Sequence, residues 1–233
     1  MIISPGRRYV FVHIPKTGGT ALTLALEARA RADDILIADT PKARARRHRL
    51  ARLSPAGRLH KHATLADAAG VVPDDLSGWF VLTLVRNPWD RALSYYQWLQ
   101  AQRFAHPAVA LSQRLGFSPF LNHPLIRAGF ADWPVSAYTR DAAGVDRLTR
   151  AVRLERLATD LHDCHWPGDA KVAGWWLWGQ CSWIGSGWCD WFGQVPHASN
   201  AGMGVQAIGQ IPHASDAGRG DEAMMTSCGR TAW

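Results

Sequence analysis

The sequence predicts an α/β fold on two observations. Residues 9–14 (YVFVHI) and 79–85 (WFVLTLV) are aromatic and β-branched runs with no internal Gly or Pro, the pattern of buried strands. Each runs into a short polar turn and then a helical pattern: Leu22, Leu24 and Leu26 among alanines after the first, and Leu93, Tyr95, Tyr96, Trp98 and Leu99 after the second. Strand, turn and helix repeated in this order build a central parallel sheet flanked by helices.

The first turn carries the chemistry. Pro15 ends the strand, and Lys16, Thr17, Gly18, Gly19 and Thr20 lead into the helix. The first amides of a helix lack partners within it, and the helix dipole places partial positive charge there. Gly18 and Gly19 let backbone amides approach an anion with no Cβ in the way. Thr17 and Thr20 add hydroxyls, and Lys16 adds a full charge. The nucleoside-triphosphatase loop G-x-x-x-x-G-K-[ST] puts lysine after its last glycine. Here the lysine precedes the glycines, which argues against an ordinary ATPase.

Composition bounds the rest. At 233 residues the chain holds one domain, or one domain with an extension. Net charge is +7, which favours anionic partners. The charge is uneven: residues 1–165 carry 23 Lys+Arg against 14 Asp+Glu, and residues 166–233 carry 3 against 5. The basic character belongs to the part that holds the loop. No run of about 18 apolar residues occurs before position 165, so no transmembrane segment is expected there. The N-terminus shows no signal-peptide pattern, and the four cysteines form no C-x-x-C pair. Both point to a reducing, cytoplasmic setting.

Residues 35–37 form a short strand candidate. A basic run follows from Lys42 to Lys61, with Arg44, Arg46, Arg47, Arg49, Arg52 and Arg58 and no acid between. It reads as a solvated helix or as a surface for an acidic glycan. It contains no aromatic residue for stacking bases, so no nucleic-acid partner is expected. His60-Lys61-His62 comes next. An H-x-H pair is a metal site only with further ligands, and none stands nearby, so no metal is expected. Thr64 and Asp67 form a helix-start pattern ahead of one or two helical turns over residues 65–69.

The second strand ends in Arg86-Asn87-Pro88-Trp89-Asp90-Arg91. Pro88 suits the first position of a helix. Arg86 therefore sits at a strand end, with a planar guanidinium suited to forked phosphate contact. Ser94 lies about two turns into the helix, and the Tyr95-Tyr96 stripe reads as core. Residues 104–140 read as short helices and loops punctuated by Pro107, Pro119, Pro124 and Pro134. Residues 145–161 have helical spacing, although periodicity cannot separate this from a short strand followed by a helix.

From about His165 the composition changes. Six tryptophans fall between Trp175 and Trp191, and residues 193–202 (GQVPHASNAG) recur as 209–218 (GQIPHASDAG). Two copies are too few for a solenoid. The tryptophans fit a core, a membrane-surface patch or a sugar-stacking platform. The expected division is residues 1–164 as the loop-bearing domain and 165–233 as an atypical segment.

Pro15-Lys16-Thr17-Gly18-Gly19-Thr20 resembles the 5′-phosphosulfate loop of sulfotransferases that use 3′-phosphoadenosine 5′-phosphosulfate (PAPS). Joined to residues 85–96 (VRNPWDRALSYY), it is similar to the paired PAPS signature of the carbohydrate-type sulfotransferases, bacterial members included. The resemblance covers roughly residues 8–163. It implies a P-loop-like three-layer α/β fold, with the loop from Pro15 to Thr20 on the 5′-phosphosulfate and Arg86 and Ser94 on the 3′-phosphate. It implies PAPS as co-substrate, PAP (3′-phosphoadenosine 5′-phosphate) as product and a carbohydrate or other hydroxyl as acceptor, and the basic run fits an anionic one. It also implies a short strand near Val152, with a helix after Glu155. Lys16 would stabilise the leaving group. Glycan sulfotransferases resembling this chain around residues 60–62 place a catalytic base there: His62, with His60 as the alternate, at an expected pKa near ~6.5. Chains of this family end in a Pro-rich turn and a terminal helix rich in Tyr and acids. Here Pro196 or Pro212 echoes the turn, and no such helix is visible. The other readings are a nucleotide- or glycan-binding remnant without turnover, and a nucleotide kinase. A kinase would need lysine after the glycines and a Mg²⁺ carboxylate at a strand end.

Overall fold

The computed structural model describes residues 1–164, and the aromatic segment and its repeat lie outside the described residues. The described part is α/β, built on a five-stranded sheet in the order β3-β1-β2-β4-β5.

β2 (Tyr9–Val12) and β4 (Phe80–Val85) are the two strands legible in the sequence, and they pair in parallel with Val12 opposite Thr83. The Thr83 hydroxyl donates to the Val12 carbonyl at 2.7 Å, tying their ends together. β5 (Arg150–Arg153) adds in parallel beyond β4. The expected parallel sheet is mixed, however. β1 (Ile2–Ser4) runs antiparallel to β2 through a 3-10 turn at Pro5–Arg7, and β3 (Ile35–Leu36) runs antiparallel to β1. At three residues β1 is too short for periodicity to register. The buried Asp34 fastens this edge by accepting from the Ser4 hydroxyl at 2.6 Å, from the Arg31 amide at 2.8 Å and from the Arg7 guanidinium.

Alternation along the strands makes two cores. Tyr9, Phe11, Leu82, Leu84 and Val152 face Leu22 of α1 (Gly19–Ala28) and Leu161 of α8 (Leu157–His162), with Ala43 of α2 (Pro41–Ala45). Val10, Val12 and Val81 face Leu65, Ala68, Val72, Leu76 and Tyr138. The second face is covered by irregular chain more than by helix. Thr64 and Asp67 do form the reciprocal cap, with the Asp67 amide on the Thr64 hydroxyl at 3.0 Å and the Thr64 amide on the Asp67 carboxylate at 2.9 Å. The expected helix over residues 65–69 is replaced by successive turns. Gly70 at φ +80° lies against the Ser54 carbonyl and Pro73 follows, so the chain turns away before a helix can propagate.

α3 (Pro88–Gln100) starts as its sequence requires, with Pro88 at the first helical position and the Asn87 side chain accepting from the Trp89 amide at 3.0 Å. α4 (Pro107–Arg114), α5 (Phe117–Asn122), α6 (Pro124–Asp132) and α7 (Val135–Thr139) follow. The prolines punctuate by starting helices: Pro107 and Pro124 follow capping His106 and His123, and Pro134 precedes α7. Tyr95 is buried with Leu99, Phe120 and Ile126 in a third core, with Tyr96 packed on it, so the Tyr95-Tyr96 stripe is core as read.

Residues 145–161 do not form one helix. Residues 150–153 pair with β4 and bury Val152, and the ladder overrides the helical spacing. A 3-10 turn at Leu154–Arg156 then leads into α8, whose Asp160 accepts from the Arg153 amide at 3.0 Å and guanidinium at 2.8 Å.

The basic run divides in two. Lys42 donates to the Glu27 carbonyl and Arg46 to the Arg31 carbonyl at 2.8 Å, so these cations satisfy acceptors at and just beyond the end of α1. Arg44 and Arg47 are exposed beside Asp39, which also pairs with Lys61 at 3.0 Å. No helix among the described residues is long and apolar enough to cross a membrane.

Candidate functional site

β2, β4 and β5 are parallel and in register, so their carboxyl ends lie along one edge of the sheet. In open α/β sheets that edge is where ligands bind. The loop from His13 to Gly18 leaves β2 there, Arg86 leaves β4, and Glu155 follows β5. The sheet thus assembles the two sequence motifs side by side.

Within the loop, Lys16 (φ 64°) and Gly18 (φ 82°) both have left-handed backbone. A non-glycine residue there is strained and persists only where its surroundings fix it. The buried Thr17 hydroxyl donates to the Ile14 carbonyl at 2.9 Å. Its proton is therefore committed to the loop itself, and Thr17 shapes the cradle. Thr20, in the first turn of α1, is exposed. Gly18 caps α1 without a side-chain hydrogen bond.

Gly19 has a further reason for being glycine beside the one its sequence setting gave. A Cβ there would lie 2.1 Å from His13 Cδ2 and 2.5 Å from His13 Nε2. Gly19 makes room for a buried imidazole beneath the helix start. Gly19→Ala is therefore expected to destabilise the protein by about 1–3 kcal/mol, as overpacked substitutions do, with a matching fall in the urea midpoint. An unchanged midpoint would show that His13 can step aside.

Lys16 is half-buried, and its Nζ lies 5.7 Å from the centre of the Trp98 ring. Burial first, then the positive charges of Arg86 and Lys61, push its pKa below the usual lysine value. None of the causes is an acid. Arg86 is likewise lowered by burial, against the opposing influence of Asp90 and Glu155. Lys16 and Arg86 thus share one electropositive edge, with Lys61 beside them.

Ser94 is half-buried on α3 between two residues that touch the loop. Arg91, three residues earlier, donates from Nε to the Pro15 carbonyl at 3.1 Å, and Trp98, four residues later, lies under Lys16. Spacings of three and four place all three on one stripe of the helix, turned toward the loop.

His62 lies 4.7 Å from His13, ring centre to ring centre and edge on, and its Nδ1 is 2.9 Å from the His13 carbonyl. A carbonyl only accepts, so Nδ1 carries the proton and Nε2 keeps its lone pair. Burial is the main reason its pKa falls to about 4, with Lys61 adding to the effect and the bond to His13 opposing it. The expected ordinary value near ~6.5 is corrected by this desolvation. His60 is exposed, and its Nδ1 accepts from the His62 amide at 3.2 Å. Its nearer lone pair is therefore in use.

Three residues of this edge were given no site role from sequence: His13, Arg91 and Glu155. Glu155 accepts from the Asn87 amide at 2.6 Å and so holds the start of α3. A polar residue closing an apolar strand was the available signal for His13. Among the described residues, no three His, Cys, Asp or Glu side chains gather as metal ligands.

No protein-family model, curated protein or solved structure matches the chain.

Proposed function

We propose that the chain is a PAPS-dependent sulfotransferase of the P-loop-like type, transferring a sulfuryl group to a carbohydrate hydroxyl and releasing PAP. One observation carries the reading. Lys16 and Arg86, from loops after neighbouring parallel strands, form a half-buried cationic edge at a helix start, and no acid is among the causes of the Lys16 shift. Such an edge is built for an anion.

In this reading the loop from Pro15 to Thr20 takes the 5′-phosphosulfate, with Lys16 and the first amides of α1 as donors. Arg86 and Ser94 take the 3′-phosphate. The acceptor hydroxyl gives its proton to His62 Nε2 and its oxygen attacks sulfur. The bond between sulfur and the bridging oxygen breaks, and Lys16 neutralises charge on that oxygen as PAP leaves. Transfers of this kind depend on in-line placement and stabilised leaving-group charge. The tautomer held by the His13 carbonyl favours His62 over His60 as the base.

Arg86→Ala tests the assignment of the 3′-phosphate. PAP affinity is expected to fall by at least about tenfold, as loss of a charged hydrogen bond implies, while adenosine 5′-phosphosulfate affinity changes little. Isothermal titration with both nucleotides measures this. Equal losses for the two would remove Arg86 from the 3′-phosphate.

A further inference from the structure

Arg91 lies in the second motif, but the roles given above to the loop, Arg86, Ser94 and His62 do not use it. Its Nε donates to the Pro15 carbonyl at 3.1 Å, and Pro15 immediately precedes the left-handed Lys16. Burial is the main cause lowering its pKa, and the nearby Tyr138 hydroxyl opposes that shift. A half-buried guanidinium set on a backbone carbonyl is a costly arrangement unless it holds something in place.

What it holds can be followed outward. The Arg91 amide donates to the Asn87 carbonyl at 2.8 Å, and the Asn87 side chain caps α3 through the Trp89 amide. The Asn87 amide is anchored on Glu155, just past β5. The base of Arg91 is thus fixed through Asn87 to Glu155 at the sheet edge. On its other side, Tyr138 accepts the Leu65 amide at its carbonyl at 2.8 Å, three residues beyond His62. Arg91 therefore stands where the loop after β2, the start of α3 and the chain leading from His62 meet.

We propose that Arg91 is a positioning residue that holds Pro15 so that Lys16 and the first amides of α1 face the 5′-phosphosulfate. It acts through the Pro15 carbonyl. This rests on the sulfotransferase reading, because it assigns a function to the shape of that loop. The strained backbone at Lys16 is what the bond stabilises: without it the lysine relaxes toward ordinary dihedrals and its Nζ leaves the site.

The test uses the full chain and three named nucleotides: PAP, adenosine 5′-phosphosulfate and adenosine 3′-monophosphate. Binding is measured by isothermal titration for the unaltered protein and Arg91→Ala. The expected result is a loss of about tenfold or more for the two ligands with a 5′-phosphate, the scale of one charge-assisted hydrogen bond. Affinity for adenosine 3′-monophosphate stays unchanged, which general damage to the fold would not permit. Arg91→Lys keeps the charge and most of the stem but not the planar fork. It is expected to show the same selective loss at smaller size, and it serves if the alanine variant does not fold. Unchanged affinity for all three ligands, or equal losses on all three, overturns the proposal. Absence of PAP binding by the unaltered protein overturns instead the sulfotransferase reading beneath it.

Discussion

Replacing Lys16 with alanine is expected to cut sulfuryl transfer by about 10²–10³-fold or more, the range for removing one preorganised donor at a developing charge. Three features of Lys16 combine to give this effect. Its backbone is left-handed, which aims the side chain from the loop. Its ammonium is partly desolvated beside Arg86 and Lys61, which lowers its pKa and makes it a stronger donor to a leaving oxygen. The Trp98 ring, 5.7 Å from its Nζ, holds it weakly, so an incoming anion can draw it away. The measurement is PAP release from PAPS in the presence of a glycan acceptor. Because alanine at φ 64° is no more comfortable than lysine, a stability control by thermal melting separates lost chemistry from lost fold. Full turnover in a folded Lys16→Ala protein would contradict the mechanism.

Replacing His62 should have the second largest effect, and the structure indicates which substitution isolates it. His62→Asn retains a side-chain N–H that can donate toward the His13 carbonyl and removes the base. Transfer is expected to fall by about 10²–10⁴-fold while PAP affinity is unchanged. His60→Ala is expected to retain transfer. The pH dependence follows from the lowered pKa. In the folded protein His62 stays neutral down to about pH 4. The acid limb of kcat/KM therefore falls near 4, below the usual histidine range. Stability has a related sign. The unfolded chain protonates His62 near pH ~6.5 and the folded chain resists until about 4, so the unfolded state binds more protons in that window. Stability from this group is present above ~6.5 and is lost as pH falls toward 4. An acid limb near 6.5 that His62→Asn leaves in place would assign the base elsewhere.

The parts of this fold that were legible in the sequence are those where local pattern and tertiary demand coincide. β2 and β4 are buried on both faces and read as continuous apolar runs. α3 has its cap and its proline in sequence order. The loop's charge and small residues were visible because they stand together in the sequence, between a strand run and a helical pattern. What stayed hidden depends on long-range partners. β5 has a sequence of Arg, Ala, Val and Arg: its periodicity did not show a strand, only the family resemblance implied one near Val152, and it is a strand because β4 offers it a ladder. The short β1 exists because β2 and β3 pair on either side of it. Gly19 was read as room for a ligand, and it also makes room for His13, which only folding brings beneath it. Likewise the sequence shows two histidines flanking position 61, and folding separates them by setting His62 Nδ1 on the His13 carbonyl, 49 residues away, while His60 stays exposed.

A site that recognises both phosphates of PAP stabilises the folded chain when PAP binds. The full chain is melted alone and with PAP or AMP, each at about one hundred times the dissociation constant expected for PAP. Binding of PAP at that level adds ~2.7 kcal/mol, a rise of several degrees for a domain of this size. That rise is expected with PAP, and little or none with AMP, which lacks the 3′-phosphate that Arg86 and Ser94 would hold. A cooperative melt that PAP leaves unmoved, or that AMP raises equally, would contradict it.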